Sequence, residues 1–153
     1  KTITMDSAFK STKIESIPNI PDSVIYMPGA FFSCSELKSI TNIPKNVVNI
    51  FQTFYNCTKL TNVNIEIPST VNNMYMCFAS CNTLSGIIIV KANISGTIEN
   101  YEGCFGNTAI SDNAQLILKC SENFYNLIYD ETRPNNIKQG IANLEANIIL
   151  EKI

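Results

Sequence analysis

Histidine and tryptophan are absent from the 153-residue sequence. Without imidazole there is no Ser–His or Cys–His nucleophile pair, and of the usual zinc sites only an all-cysteine set remains. Glycine is scarce, with six residues, and neither a glycine-rich phosphate loop nor an Asp-x-Asp-x-Asp-Gly calcium loop is present. These absences exclude most common catalytic and cofactor-binding motifs, so the sequence predicts no enzyme activity and no cofactor.

Charged residues are also few. They make up 16% of the chain, against ~25% in typical soluble domains, and the net charge is −2. A nucleic-acid partner would need a clustered basic face, so none is expected. No window approaches the ~18 apolar residues of a membrane span, so no membrane insertion is expected. No signal peptide is visible and the chain starts at Lys1, so either a leader has been removed or, as we favour, this is a fragment of a longer protein.

A repeated phrase is the main feature that is present. Residues 31–50 and 54–74 both read Phe-x-x-Cys-x-x-Leu-x-x-Ile/Val, followed by Ile-Pro-x-x-Val-x-x-Ile/Met. Phe31 and Phe54 are 23 residues apart, and the cysteines and leucines step by the same interval. A fixed period of about 20–50 residues indicates a solenoid. Each copy, here called a rung, is too short to bury its own apolar face, so the rungs must stack.

The rungs are predicted to begin near residues 8, 31, 54, 78 and 105, within an array over residues 1–110. The first rung is degenerate, with Ala8 and Ser11 in the phenylalanine and cysteine columns. The fourth replaces Ile-Pro with the apolar run 87–90, which is typical of a buried strand. The residues predicted to stack as a core framework are Phe31, Phe54, Phe78, Cys34, Cys57, Cys81, Leu37, Leu60 and Leu84.

Residues 111–153 are predicted to form a C-terminal cap of the same domain. A strand at residues 116–118, a helix that begins after an N-cap at Ser121, a second helix over 137–144 and a strand at 148–150 are expected there. Such a cap would cover the open end of the stack and protect its edge.

The cysteines allow more than one interpretation. Small, inert core thiols are expected in the column of Cys34, Cys57 and Cys81, and disulfides between adjacent rungs are an alternative on distance alone. Cys77 and Cys104 form a second column and could pair. No metal site is predicted, because the spacings are far from Cys-x₂-Cys.

The outward face of the stacked strands is the candidate binding surface. Its candidate ligand-binding residues are Ser39, Thr41, Asn62, Asn64, Glu66 and Ile88. Most of them are small, uncharged and polar, and the aromatic and arginine anchors of tight interfaces are missing. Tyrosines near the corner turns suit weak, multivalent contacts; they are Tyr26, Tyr55, Tyr75 and Tyr101. The periodicity brings no carboxylate pair together across a cleft, as a glycosidase would require.

The repeated phrase, over about residues 8–110, resembles the BspA-like leucine-rich repeat family. The resemblance implies the α/β fold class: a right-handed leucine-rich-repeat solenoid, β-rich with a short or irregular convex side. With the sequence pattern, it predicts about four to five rungs and a strand–helix C-terminal cap. It also implies a surface or secreted bacterial protein, of a kind often credited with adhesion to host or neighbouring cells, and it brings no catalytic residues.

The leading functional hypothesis is therefore a non-enzymatic interaction or adhesion module of an extracellular, cell-surface protein. It would present the sheet face to a protein or glycan ligand on host or neighbouring cells. The alternatives are a structural spacer within a larger surface protein and a carbohydrate-active enzyme with a shallow groove.

Overall fold

The computed structural model describes residues 2–92, 98–129 and 147–153. Its elements in chain order are β1 (Ile3–Thr4), β2 (Val24–Tyr26), β3 (Val63–Ile67), β4 (Gly86–Val90), a 3₁₀ turn (Ile98–Tyr101), β5 (Leu116–Cys120), α1 (Glu122–Ile128) and β6 (Ile148–Lys152). The described structure is mostly strands and turns with one short helix. The second helix predicted over 137–144 lies outside the described residues.

Four strands form one parallel sheet in the order β3-β4-β5-β6. Val63 pairs with Gly86, Gly86 with Leu116, and Leu116 with Ile148, so each strand lies beside the next strand along the chain. Long crossover connections between parallel neighbours are what stacked coils produce. The strands predicted at 87–90, 116–118 and 148–150 are confirmed.

The sheet continues past residue 110, where the sequence predicted the array to fade. β5 and β6 were expected in a cap, but they are paired in register with the array's own strand β4 and with each other. Phe124 and Ile128 of α1 are buried, as the helical pattern predicted. Ser121 is the N-cap residue of α1, as predicted, and its side chain makes no capping hydrogen bond. The C-terminal strands therefore extend the array's sheet.

The first rungs pair through shorter contacts. β1 pairs with β2, and single bridges join Tyr26 to Asn49 and Asn49 to Asn73 along the same side. On the side of the main sheet, the first two rungs share a bridge between Ser16 and Ser39. Prolines come shortly after the bridged serines in these two rungs. Because a proline has no N–H group to donate to a strand ladder, the pairing there stays short.

Tight turns form the remaining side of each rung. Successive main-chain N–H groups here donate in turn to the next rung and to their own rung. The N–H of Phe31 donates to the main-chain oxygen of Thr53 in the next rung at 3.0 Å, whereas the N–H of Phe32 donates to the main-chain oxygen of Gly29 in the same turn at 3.0 Å. Two positions per rung have left-handed backbone, the second before and the second after the core phenylalanine. These residues are Ser7, Gly29, Gln52, Met76 and Gly103, and Ser11, Ser33, Asn56, Ser80 and Asn107.

One continuous hydrophobic core fills the space between these sides. Leu37, Leu60 and Leu84 are fully buried in it. Five phenylalanine rings stack in a single column, with centroid distances of 5.4, 5.5, 5.3 and 5.6 Å; they are Phe9, Phe31, Phe54, Phe78 and Phe105. The interior is therefore a continuous stack of equivalent side chains.

The first rung enters these columns one residue later than predicted. Phe9, not Ala8, stacks on Phe31, because the interval at this step is 22 residues instead of 23. Thr12, not Ser11, consequently occupies the cysteine column, and its Oγ1 lies 3.5 Å from the Sγ of Cys34. The first rung is thus better formed than the fixed period indicated.

Candidate ligand-binding surface

Alternate side chains of the main sheet point away from the core and form two rows across the strands. The register aligns Asn64, Ile87, Ile117 and Ile149 in one row. The second row contains Glu66, Ile89, Lys119 and Glu151. A ligand that approaches this face would meet both rows at once.

The sequence-predicted residues of this face divide into two groups. Five of them have exposed side chains: Ser39, Thr41, Asn62, Asn64 and Glu66. The prediction that Ile88 lies on this face was wrong, because Ile88 is 0% exposed and lies in register with the buried Ile65. A slip of one residue in register exchanges the two faces of a strand, so the outward residues of β4 are Ile87 and Ile89.

An isoleucine stripe, defined here as Ile87, Ile89, Ile117 and Ile149, gives the C-terminal half of the face its character. The first three are partly exposed, and Ile149 is 43% exposed. The stripe was missed from the sequence because Ile88, one residue off, was assigned to the outward face of the run 87–90, and Ile117 and Ile149 were assigned to no face. The parallel register, combined with strand alternation, is the signal that identifies it.

Polar and charged groups border the stripe. Thr61 Oγ1 lies 2.8 Å from Ser85 Oγ, and the main-chain N–H of Asn62 donates to the same oxygen at 3.0 Å. Lys119 forms an ion pair with Glu151 at 3.3 Å within the second row. The arrangement is an apolar centre with an ordered polar border, which is the composition of many protein-binding patches.

Several of the scattered acidic residues form ion pairs with a lysine of the following rung. Glu15 pairs with Lys38 at 2.6 Å, and Glu36 with Lys59 at 2.7 Å. The hydrogen bond and charge of Lys38 lower the pKa of Glu15. A glycosidase's general acid needs a raised pKa, so Glu15 is shifted in the opposite direction.

Asp22 and Glu66 follow the same arrangement. Asp22 pairs with Lys45 at 2.9 Å, and Glu66 with Lys91 at 2.9 Å. The hydrogen bonds from Lys45 lower the pKa of Asp22. These pairs join consecutive rungs at the surface, where each contributes little to stability.

The cysteine column is a ladder of hydrogen bonds within the core. The thiols of Cys34 and Cys57 donate to the main-chain oxygens of Phe9 and Phe31 at 3.0 and 3.2 Å, one rung earlier in each case. The thiol of Cys81 continues the ladder. In the fifth rung the hydroxyl of Thr108 donates to the Phe78 oxygen at 2.7 Å.

All six cysteines are buried and none forms a disulfide, including Cys77 and Cys104, which the sequence left as a possible pair. Burial raises the pKa of the Cys77 and Cys104 thiols well above the ordinary value, and raises that of Cys120 to about 12. A nucleophilic cysteine needs a lowered pKa instead. Among the described residues, no group of three or more metal-ligating side chains occurs.

The predicted corner tyrosines have different environments. Tyr26 is exposed, Tyr55 and Tyr75 are partly buried, and Tyr101 is fully buried against Phe124. No helix of the described ranges is long and apolar enough to cross a bilayer.

A family model described as "BspA type Leucine rich repeat region" matches residues 2–127 in six copies. The six copies exceed the four to five rungs that the sequence analysis predicted. No curated protein and no solved structure is similar enough to count as a match. The matched region is well over half of the sequence and includes β1 to β5. The chain therefore belongs to the BspA-type leucine-rich repeat family.

Proposed function

We propose that this chain is a non-enzymatic interaction module that binds a protein ligand through the outward face of its main sheet. The observation that carries the proposal is the isoleucine stripe with its polar border. Four branched side chains on three adjacent strands place apolar surface on an otherwise polar face. Grouped exposed apolar side chains with a polar rim are typical of protein-binding sites.

Rigidity of the scaffold supports the same function. The outward side chains are mounted on a four-stranded parallel sheet whose other face is packed in the core. Because the main chain is already fixed, a ligand orders few groups on binding, and less of the interaction energy is lost as conformational entropy. Repetition adds a second advantage, since several weak contacts on successive rungs act together.

The specific role that we propose for this module is adhesion, as part of an extracellular protein at a bacterial surface. Family membership supports it, because the BspA-like resemblance implies surface proteins that contact host or neighbouring cells. The ligand would then be a protein, or a glycan carried by one, on those cells. The isoleucine stripe favours a protein over a free glycan, because aliphatic side chains contribute mainly through burial of apolar surface.

The test is a binding assay with immobilised host extracellular-matrix proteins and with whole neighbouring bacteria. A double variant, Ile87→Glu with Ile117→Glu, places two carboxylates in the stripe. Burying unpaired charge at an interface costs several kcal/mol, so binding should fall at least 100-fold. Ser23→Glu, at an exposed turn before β2, is the control and should bind like the unmodified chain.

Circular dichroism of each variant shows whether the fold is retained. Undiminished binding by a folded stripe variant would refute the proposed face. Hydrolysis of a polysaccharide by the purified chain, lost on mutating a pair of carboxylates, would replace the module with an enzyme.

A structural spacer is the second candidate, and the links between rungs favour it. The surface ion pairs and the buried ladder join each rung to its neighbour, which makes the array stiff along its length. A spacer predicts that the stripe variant leaves cell adhesion of the whole protein unchanged, whereas shortening the array reduces it.

A further inference from the structure

A groove on the turn side of the array, away from the main sheet, has the form of a second binding site. Its walls are two rows of side chains that repeat once per rung, in the third position before and the first position after each core phenylalanine. The first row contains Asp6, Pro28, Phe51 and Tyr75; the second contains Lys10, Phe32 and Tyr55. The cavity between the rows has a volume of about 250 Å³ and is lined by the first three rungs up to Phe32 and Phe51. Tyr55 and Tyr75 continue the two rows beyond this cavity, because they stack on Phe32 and Phe51.

The floor of the groove is the first series of left-handed residues. Ser7, Gly29 and Gln52 line the cavity, with φ angles of 50°, 58° and 51°. Gly29 adds no side chain, and a Cβ there would come within 3.4 Å of the Ser7 oxygen. The floor is therefore low in the second rung.

Aromatic rings form most of the walls. Phe32 and Tyr55 stack at 4.9 Å, and Phe51 and Tyr75 stack at 5.3 Å, in both cases with 14° between the ring planes. The ammonium of Lys10 lies 4.7 Å from the centroid of Phe32. Because the rings stack from rung to rung, their faces are directed along the array and their edges are left to the groove.

Hydrogen-bonding groups remain available at the walls. The hydroxyls of Tyr55 and Tyr75 donate to no group within the described part of the chain, and both side chains are partly exposed. Asp6 is exposed, and among the described residues its carboxylate forms no ion pair. A ligand that fits must present apolar rings or methylenes between the aromatic edges and acceptors to the two phenols.

We propose that this groove binds a proline-rich segment in the polyproline II conformation. Such a segment has no internal hydrogen bonds, so its carbonyls are free to accept from the two hydroxyls, and its proline rings fit between aromatic edges. A basic residue beside the prolines would complement Asp6. Stacking of sugar rings, by contrast, requires aromatic faces that are directed at the ligand, and here the ring faces are directed along the array.

The dimensions of the two partners agree. Neighbouring rungs are roughly 4.8 Å apart, so two rungs span about 9.6 Å. One turn of polyproline II has three residues of ~3.1 Å rise and spans about 9.3 Å. A proline-rich segment can therefore repeat its contacts at every second rung. From Asp6 to Tyr75 the groove spans three steps between rungs, or about 14 Å, which accommodates four to five residues.

Fluorescence anisotropy with labelled peptides tests the proposal on the unmodified chain. The probe is an arginine followed by a run of prolines, and its control peptide replaces the prolines with glycine and serine. Protein concentrations up to about 1 mM cover the weak affinities expected of a small site. The proline probe should bind, and the glycine–serine peptide should bind at least tenfold more weakly, because it must be ordered on binding.

Three variants define the site. Tyr55→Phe combined with Tyr75→Phe keeps the stacked rings but removes both donors, and should weaken binding of the proline probe about tenfold. Tyr26→Phe removes an exposed phenol outside the groove and should have no effect. Asp6→Asn should weaken the probe a few-fold, and should not affect a proline peptide that lacks the arginine.

Four outcomes would overturn the proposal: no binding of the proline probe, equal binding of the glycine–serine peptide, equal effects of the Tyr26 and Tyr55/Tyr75 variants, or binding of a neutral hexasaccharide in place of the peptide. The stripe variant of the main sheet should bind the proline probe normally. The groove and the sheet face can therefore fail independently.

Discussion

Truncation of one ring in the phenylalanine column should cost far more inside the array than at its first rung. Phe54 is 0% exposed, and its ring stacks on Phe31 at 5.5 Å and on Phe78 at 5.3 Å. Phe54→Ala opens a cavity between two rungs that cannot close without disturbing both sides. A buried Phe→Ala substitution of this kind costs about 3–5 kcal/mol in the free energy of unfolding.

Phe9→Ala is the matched comparison. Phe9 is 39% exposed and has a single stacked neighbour, Phe31, at 5.4 Å. Removal of a ring that is already partly in water forfeits less transfer free energy and leaves no closed cavity, so the cost should be about 2 kcal/mol. The expected difference between the two variants is about 2 kcal/mol.

Urea unfolding followed by far-UV circular dichroism measures both values, since the chain has no tryptophan to report by fluorescence. In a chain of this length each kcal/mol shifts Tm by about 2–4 °C, so the melting temperature should fall by about 10 °C for Phe54→Ala and about 5 °C for Phe9→Ala. The slope of the urea dependence must be unchanged for the comparison to hold. Equal costs for the two variants, or a cost below 1 kcal/mol for Phe54→Ala, would refute the view that the stacked core stabilises the array.

Gly86→Ala should destabilise the chain by about 2–4 kcal/mol in the same assay, because Gly86 has a φ of +105° and a Cβ there would meet the main chain of the preceding rung. Ile88→Asp should prevent folding while Ile87→Asp retains the native circular dichroism spectrum, and the reverse result would disprove the register of β4. The six thiols should react with a thiol reagent only as the chain unfolds; rapid labelling of the folded chain would contradict their burial. Because Lys38 lowers the pKa of Glu15, the ionised carboxylate stabilises the fold above its unfolded pKa, and this contribution should be lost as the pH falls below about 4.5. Glu15→Gln should reduce that acid sensitivity in urea titrations at a series of pH values, and an unchanged profile would show that the pair contributes nothing.

Side-chain columns were the part of the fold most accessible from the sequence. Phe31, Phe54, Cys34 and Cys57 repeat at one interval, and an interval that recurs in several residue types leaves few alternatives to stacking. The first rung was misaligned because its interval is one residue shorter. In the sequence, a constant period is a stronger signal than one displaced aromatic residue. In the structure Phe9 enters the column, because its ring completes the stack.

The proposed binding face was harder to predict than the core. The rungs differ in length at the strands, and a strand side chain changes face with each residue. Pairing of Asn64 with Ile87, and not with Ile88, depends on hydrogen-bond register between rungs, which is a long-range property. The stripe therefore emerges only when the pairing partners are known.

The turn-side groove left even less trace in the sequence. Its floor consists of Ser7, Gly29 and Gln52, which share a left-handed backbone and no residue type. Residues other than glycine enter that region when the surrounding hydrogen bonds require it. The conformation of the turns is thus imposed by the neighbouring rungs, and it cannot be predicted from the residue types at these positions.

The direction of the hydrogen bonds between turns has a consequence for how such a chain can evolve. In the turns, alternate main-chain N–H groups of each rung donate to oxygens of the following rung, and the same donor–acceptor scheme recurs at the next step. Duplication of a DNA segment that encodes one whole rung would thus insert a unit whose two surfaces already match their new neighbours. Lengthening by complete units leaves both ends of the molecule as they were, and the columns tolerate units of different length, since the phenylalanines stack at intervals of 22, 23, 24 and 27 residues.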